Sequence, residues 1–283
     1  MKWTMANSHF WFGLVDIFIN LLVTPYFFTP IPGGHALGIL TLLGVPTNVQ
    51  LYIVTAILNV GMISVTILFE NRYNNMPLNK YKVTRNFTKV IYWGIRYSIA
   101  ILLQLPFLNF MPDQDTARLE SLKIVPCPNE LYFQVPVFIW VTDPDVLKYS
   151  FLAVSFLITT ESCQILFFVF SCVYYLFFKS NAKISTKTRE MQRRFLINLI
   201  IQVTVPLIIG LFPFIALMVI VHAKQYNQGV TNIMVFIESL HNTISTIIML
   251  YVHKPYRQYI KQLISKDVRT PPSYNGVVPV TVA

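Results

Sequence analysis

Long, uninterrupted apolar runs dominate the pattern of hydrophobic and polar positions along this chain. A helix rises about 1.5 Å per residue, so crossing about 30 Å of hydrocarbon takes about 20 mostly apolar residues. Six runs meet this requirement, at about residues 10–28, 45–69, 90–110, 146–178, 195–221 and 230–252. Because the runs are continuous rather than alternating, they predict transmembrane helices and not barrel strands. The predicted fold is an all-α polytopic bundle over residues 1–259, with a tail over 260–283 that is largely disordered after 270.

The composition agrees with a chain that is solvated by lipid. Hydrophobic residues make up 54% of the 283 residues, and Asp, Glu, Lys and Arg together make up 12%. An ordinary soluble domain carries about twice that share of charged residues, roughly a quarter. A soluble core of this composition would leave too little polar surface to cover itself. The composition therefore excludes a soluble globular protein.

The formal net charge of +10 is explained by alternate connections between the predicted spans. Lys and Arg exceed the acids in residues 70–89, 179–194 and 253–269, whereas the connection over residues 111–145 is acidic. Under the positive-inside rule the basic segments face the cytosol and the acidic loop faces outside. The charge therefore predicts cytosolic N- and C-termini, and it requires no nucleic acid partner.

The cysteines and the local motifs give little support for chemistry. Cys163 and Cys172 fall inside the fourth span, where thiols usually act as small apolar packing groups. Cys127 lies in the predicted outer loop, where the sequence offers it no second cysteine. No cysteine–histidine cluster with zinc spacing, phosphate-binding glycine loop or hydrolase motif occurs, so we expect no metal, no cofactor and no enzymatic activity.

Polar residues within the first and last spans form a predicted interhelical cluster. Asp16 and Asn20 are four residues apart and share a helix face, and Glu238 and His241 share another face beside Asn242. The two spans can bring both sets to similar depth. Such a cluster serves either as hydrogen-bonding glue between helices or as a conformational switch or ligand contact. Polar packing is the commoner use and is the favoured interpretation.

Two charged residues lie within other spans. Arg96 is about six residues, roughly 9 Å, from the predicted cytosolic start of the third span, so a side chain that snorkels to the headgroups is favoured. Glu161 lies near the middle of the fourth span, from which a carboxylate cannot easily reach water. We expect Glu161 to face the bundle interior, where it is protonated or paired.

The residues that close several spans resemble one family. The second span ends in Phe69-Glu70-Asn71-Arg72-Tyr73, which on its own could be a pair of solvated interface charges. Further motifs along the chain are more informative, because they occur in a fixed order relative to the predicted spans. These motifs are Thr24-Pro25-Tyr26-Phe27-Phe28-Thr29-Pro30, then Gly33, Gly34, Leu37-Gly38 and Gly44-Val45-Pro46, then Gln202, Pro206 and Pro213, and finally Ser245-Thr246-Ile247 and His253-Lys254-Pro255-Tyr256-Arg257. From about Phe10 to Tyr259 the chain resembles the nematode serpentine receptor class H chemoreceptors.

The resemblance implies a G-protein-coupled receptor for a small environmental molecule, in the plasma membrane of sensory cells. Its partners would be a heterotrimeric G protein, the ligand and the lipid bilayer. Glu70, Arg72 and Tyr73 would sit at the switch, and Arg193 and Arg194 would meet the G protein. The ligand would bind among the outer halves of the spans, under the acidic loop that contains Cys127.

Receptors of this family have seven helices, so the six spans would correspond to helices two to seven and the first would be missing. That expectation leaves an alternative open, a non-signalling truncated receptor that dimerises with intact ones. A small-solute transporter or channel is the other alternative. Transporters often show paired internal repeats, and no such repeat relates the first three spans to the last three.

Overall fold

The computed structural model describes residues 2–76, 79–83, 85–105, 108, 111–179, 185–252 and 254–264, and the predicted disordered tail after 270 lies outside these residues. The fold is mainly helical, as predicted. The helices are α1 (Lys2–Ile17, continued by a π-helical segment Phe18–Val23), α2 (Ile39–Leu42), α3 (Thr47–Asn74), α4 (Asn86–Leu102), α5 (Gln114–Ile124), α6 (Leu131–Gln134), α7 (Pro144–Val173, continued by a π-helical segment Tyr174–Phe178), α8 (Thr186–Ala223), α9 (Gln228–Val252) and α10 (Lys254–Ile264). Three short strands join them: β1 (Pro25–Phe27), β2 (Gly33–Ala36) and β3 (Phe138–Ile139).

A helix lies at the position of each predicted span. Among the described residues, five are long and apolar enough to cross a membrane, within α1, α3, α7, α8 and α9. The third predicted span is shorter than expected, because α4 has 17 residues and ends at Leu102 rather than 110. This length is at the lower limit for a span. Pro106 disfavours α-helical backbone at Leu105, so an unbroken α-helix to residue 110 is not expected.

The first and second spans also differ from their predicted limits. α1 begins at Lys2 rather than residue 10, since polar residues of its first turns contact other helices, as when Asn7 Nδ2 donates to Tyr97 Oη at 3.1 Å. It ends before Thr24, which has left-handed backbone (φ 45°), and Pro25 then starts β1. α3 continues past 69 to Asn74, because Glu70 and Arg72 are buried there.

α3 is the central helix of the bundle. It packs against α1, α4 and α7, while α8 and α9 pack against each other and α1 also contacts α9. Half of the most apolar stretch of α3 is buried, compared with 6% in α7 and in α8. α3 is therefore surrounded by protein, whereas its neighbours expose most of their apolar surface to lipid.

The predicted acidic loop (α5, α6 and β3) folds together with the segment that follows α1 (β1 and β2) into a small domain, which we call the cap. Within the described residues β1, β2 and β3 form one antiparallel sheet, in which Tyr26 pairs with His35 and Gly34 pairs with Phe138. Its buried core contains side chains from both halves of the cap: Phe28, Ile31, Ala117, Val125, Tyr132, Val137 and Ile139. The end of the bundle that carries the cap is called the cap end below, and the opposite end is called the basic end.

Direct hydrogen bonds hold the cap on the bundle. The Thr29 and Thr231 hydroxyls are bonded to each other, and Gln228 Nε2 donates to the Phe27 carbonyl at 2.8 Å, so the strand segment is tied to the start of α9. The Asn129 N–H donates to Tyr226 Oη at 2.9 Å in the α8–α9 connection. The cap is thus fixed to the α8–α9 pair.

Gly38 allows the chain to pass close to the end of α1. A Cβ built on Gly38 would lie 2.3 Å from the backbone carbon and oxygen of Leu22. The Gly38 N–H donates to the Val23 carbonyl at 2.9 Å, which fixes this approach. A side chain at this position would force two backbone segments apart, so the packing requires glycine.

Asp113 begins α5 as an N-cap. Its carboxylate accepts hydrogen bonds from the Thr116 backbone N–H at 3.1 Å and from the Thr116 hydroxyl at 3.0 Å. These bonds lower the pKa of Asp113, the backbone bond contributing most. The acidic residues of this loop therefore include one that sets a helix start.

We expect replacement of Phe28 by Ala to unfold the cap locally. Phe28 is fully buried in the cap core, and removing a buried Phe side chain costs about 3–5 kcal/mol. Hydrogen exchange of the cap amides should accelerate in Phe28→Ala and remain near the wild-type rate in Leu119→Ala, whose side chain is 66% exposed on α5. Equal protection in both variants would contradict a packed cap core.

Candidate functional site

At the basic end, the Arg72 side chain extends from α3 to α8. Arg72 Nη2 donates to the Gln192 carbonyl at 3.2 Å, and its guanidinium lies 5.3 Å from the centre of the Phe195 ring. The residue is only 8% exposed. A cation over an aromatic ring is attracted by about 0.5–2 kcal/mol, more when it is desolvated. Arg72 therefore fastens the end of α3 to α8.

Glu70 and Tyr73, which lie close to Arg72 in the sequence, contact different helices. Glu70 accepts a hydrogen bond from Trp93 Nε1 of α4 at 2.9 Å. The Tyr73 ring packs against aromatic side chains of α7 and its continuation, with ring centres 5.5 Å away for Phe168 and 6.3 Å away for Tyr175. Glu70, Arg72 and Tyr73 thus connect α3 to α4, α8 and α7 respectively.

This geometry corrects one interpretation of the sequence. Glu70 and Arg72 are not solvated interface charges, since they are 5% and 8% exposed. They also contact separate helices, with Trp93 bonded to Glu70 and Gln192 bonded to Arg72. The segment is therefore a junction of helix ends, and any movement of α8 relative to α3 must break the Arg72 contacts.

Arg193 and Arg194 are adjacent but have different environments. Arg193 Nε donates to the Leu176 carbonyl at 2.9 Å, and its guanidinium lies 4.4 Å from the centre of the Phe177 ring. Arg189 Nε donates to the same carbonyl at 2.8 Å. Arg194 instead pairs with Glu190 one turn away, and its side chain is 77% exposed. Arg193 caps the end of α7, whereas Arg194 faces outward.

At the predicted polar cluster, Asn20 forms a hydrogen bond between the end of α1 and the backbone of α9. Asn20 Nδ2 donates to the Asp16 carboxylate at 3.2 Å and to the Ser239 carbonyl of α9 at 3.4 Å. Asp16 is also an electrostatic neighbour of His241. The side chain of Asn242 lies outside the described residues.

The α9 half of the cluster faces α8 as well. A Cβ built on Gly210 of α8 would lie 3.6 Å from the His241 ring and 3.7 Å from Glu238 Oε1. Glu238 Oε2 is buried without a hydrogen-bond partner among the described residues. Asn20 thus supplies a hydrogen bond between the two helices, and Glu238 is left under-satisfied beside Gly210. The role of the cluster as hydrogen-bonding glue stays a prediction.

Within the bundle, Arg96 of α4 and Glu161 of α7 form an ion pair. Arg96 Nη2 lies 2.6 Å from Glu161 Oε1 and 2.5 Å from Oε2, and the Thr66 hydroxyl of α3 donates to Oε2 at 2.6 Å. The two charged side chains are 10% and 14% exposed. The expectation that Glu161 faces the bundle interior, protonated or paired, is confirmed, and of the two alternatives the side chain is paired.

The expectation that Arg96 snorkels to the headgroups is wrong. It assumed a span that starts at residue 90, whereas α4 starts at Asn86, which places Arg96 about 15 Å from that helix end. At this depth Glu161 is the nearer countercharge. Opposite charges in neighbouring spans were the available signal, but the sequence did not indicate that the two side chains face each other.

Cys127 is an exposed free thiol in the cap, and the described residues contain no disulfide. Its location in the cap agrees with the predicted acidic loop. No group of three or more potential metal ligands occurs in the described part of the chain.

Comparison with known proteins gives a consistent family assignment. The profile described as "Serpentine type 7TM GPCR chemoreceptor Srh" matches residues 1–266. Serpentine receptor class H-72 of Caenorhabditis elegans is 26% identical over 267 residues, which cover 94% of this chain and 76% of that receptor. No solved structure gives a significant match.

We predict that Glu161→Gln destabilises the bundle strongly. Removing one partner of a buried ion pair leaves an uncompensated charge and costs about 3–5 kcal/mol. The double variant Arg96→Met/Glu161→Met removes both charges, so its thermal midpoint in lipid nanodiscs should recover most of the loss. A double variant as unstable as Glu161→Gln would contradict the pairing.

Proposed function

Because the chain belongs to the class H family of serpentine seven-helix chemoreceptors, we propose that it senses a small environmental molecule and activates a heterotrimeric G protein. The observation that carries the proposal is the burial of Arg72 between α3 and α8 at the basic end of a multi-pass bundle. The family assignment supplies the receptor class. The contacts of Arg72 supply a place where helix movement can be controlled.

The proposed orientation puts the basic end in the cytosol and the cap outside the cell, in the plasma membrane of a sensory cell. Lys and Arg accumulate at cytosolic ends of membrane proteins, and three basic segments flank this end of the bundle. The N-terminus of this chain would then be cytosolic. The cap would be the part of the receptor that meets the environment.

In the proposed mechanism the ligand shifts a population between two arrangements of α8. In one arrangement Arg72 is bonded to the Gln192 carbonyl and packed on Phe195, which closes the basic end. A ligand that binds the other arrangement more tightly raises its share without any chemical step. Release of α8 would free the buried Arg72 side chain for the G protein.

The two arginines of α8 take different roles in this proposal. Arg194 is exposed and its bond to Glu190 is a surface pair, which contributes little stability, so it is available to a G protein. Arg193 is bound to the end of α7 and acts through the position of that helix. Glu70 and Tyr73 position α3 against α4 and α7. The polar cluster of Asp16, Asn20, Glu238, His241 and Asn242 is proposed to hold α1 and α9 in register.

We expect Phe195→Ala to raise signalling in the absence of ligand and Arg72→Ala to lower it. Losing the Phe195 ring weakens the tether by about 1 kcal/mol, which changes the population about five-fold. Arg72→Ala loosens the same tether but removes the group proposed to contact the G protein. Basal activation can be measured by energy transfer from a panel of Gα subunits, normalised to surface expression.

The matched control is Phe212→Ala, which makes the same change on the same helix at a side chain 59% exposed. It should leave basal signalling unchanged. If Phe195→Ala and Arg72→Ala both match the wild type at equal surface expression, the Arg72 junction is not the switch. If neither the wild type nor any of the three variants activates a Gα subunit, the result would favour a non-signalling receptor that associates with other receptors.

A further inference from the structure

A half-open cavity of about 310 Å³ lies between α3, α4 and α7 and opens to the outer surface of the bundle, where the lining residues Ile99 and Phe156 are exposed. Its walls come from the middle of each helix, at residues 59–63, 92–100 and 156–164. Asn59 is twelve residues from the start of α3, about 18 Å at helical rise. The cavity is thus deeper than the predicted ligand position beneath the acidic loop. Its volume is at the small end of the range for ligand sites.

Two carboxamides line this cavity without a hydrogen-bond partner among the described residues. Asn59 of α3 and Gln164 of α7 both lie on its wall, and neither makes a side-chain hydrogen bond with any described residue. Hydrocarbon cannot supply such a bond, so unpaired amides at the middle of a span are unfavourable. Polar residues inside a membrane usually mark a functional site for this reason. The two amides each offer a donor and an acceptor to an occupant.

The remaining walls determine the character of that occupant. Met62, Ile63, Ile99 and Leu157 provide an apolar surface that favours a hydrocarbon group. Arg96 and Glu161 also line the cavity, but each already neutralises the other. A bound ion would therefore bring an uncompensated charge into a region of low dielectric constant. The site favours an uncharged molecule.

We propose that this cavity binds a small uncharged amphiphile, whose hydroxyl or carbonyl oxygen bonds to Asn59 and Gln164 while its hydrocarbon part packs on Met62, Ile63, Ile99 and Leu157. The site would then be the ligand site of the receptor, a role that rests on the proposed function. Octanol is a suitable probe because its hydroxyl both donates and accepts a hydrogen bond, as a carboxamide does. Octane, octanoate and octylamine are matched in length but lack the neutral polar group.

The test is photolabelling of the chain in phosphatidylcholine nanodiscs by a diazirine derivative of octanol, with the labelled residues identified by mass spectrometry. Label should appear on the cavity-lining segments of α3, α4 and α7. Excess octanol should reduce it about ten-fold, and octane, octanoate and octylamine should compete much less. Equal competition by octane would show a groove for lipid tails, and stronger competition by octanoate or octylamine would show a charged ligand. Either result overturns the proposal.

The variant Asn59→Leu/Gln164→Met separates ligand binding from a structural role. It replaces two unpaired amides with apolar side chains of similar size, so it should raise the thermal midpoint without octanol while lowering cavity labelling about ten-fold. Amides needed for folding would give the opposite change in midpoint. A lower midpoint, or unchanged labelling, would contradict the proposal.

Thr160→Phe tests the cavity volume and leaves the Arg96–Glu161 pair and both amides unchanged. Thr160 lines the cavity, so the larger ring should exclude the label, whereas the near-isosteric control Thr160→Val should not. Labelling that persists in Thr160→Phe would place the probe elsewhere. These binding measurements contain no G protein, so they are independent of signalling. If the chain binds octanol but never signals, the proposed function is refuted and the proposed binding site stands.

Discussion

Hydrocarbon forms no hydrogen bonds, and this constraint determines how α3 is held in the bundle. Three polar side chains along its inner half contact other helices: Thr66 donates to Glu161 of α7, Glu70 accepts from Trp93 of α4, and Arg72 donates to the Gln192 carbonyl of α8. These contacts fix both the position of α3 and its rotation about its axis. The apolar contacts of the same helix could be made at several rotations, because its hydrophobic residues are distributed all round it.

The two ends of the bundle share the α8–α9 pair. At the cap end, Thr29, Phe27 and Asn129 bond to the start of α9 and to the connection before it. At the basic end, Arg72 bonds to α8. A shift of the α8–α9 pair relative to α3 would therefore change the contacts of the cap and the contacts of Arg72 together. The proposed cavity adjoins α3 on the other side, where α4 and α7 pack, so an occupant would act on the helix that both ends depend on.

Local composition was sufficient to predict the positions of the six long helices, since a continuous run of apolar residues indicates that the segment is surrounded by lipid or protein. It was not sufficient for contacts that depend on helix rotation or on distant segments. The Arg96–Glu161 pair was missed because the start of α4 was misplaced by four residues, and β3 was missed because two residues, Phe138 and Ile139, become a strand only by pairing with β2. Arg193 and Arg194 appeared equivalent in the sequence, yet adjacent residues point about 100° apart on a helix, and one caps α7 while the other faces outward.

The capping of α7 by Arg189 and Arg193 has a mechanical consequence. Both side chains originate on α8 but bond to the Leu176 carbonyl at the last turn of α7, across a connection of only a few residues. The two helix ends are thereby fastened together at their tips. An outward swing of α8 must either carry the end of α7 with it or expose carbonyl groups that have no other partner in the helix. The pull would act on the segment Tyr174–Phe178, which is π-helical rather than α-helical, and single π-helical turns within α-helices are frequent at functional sites.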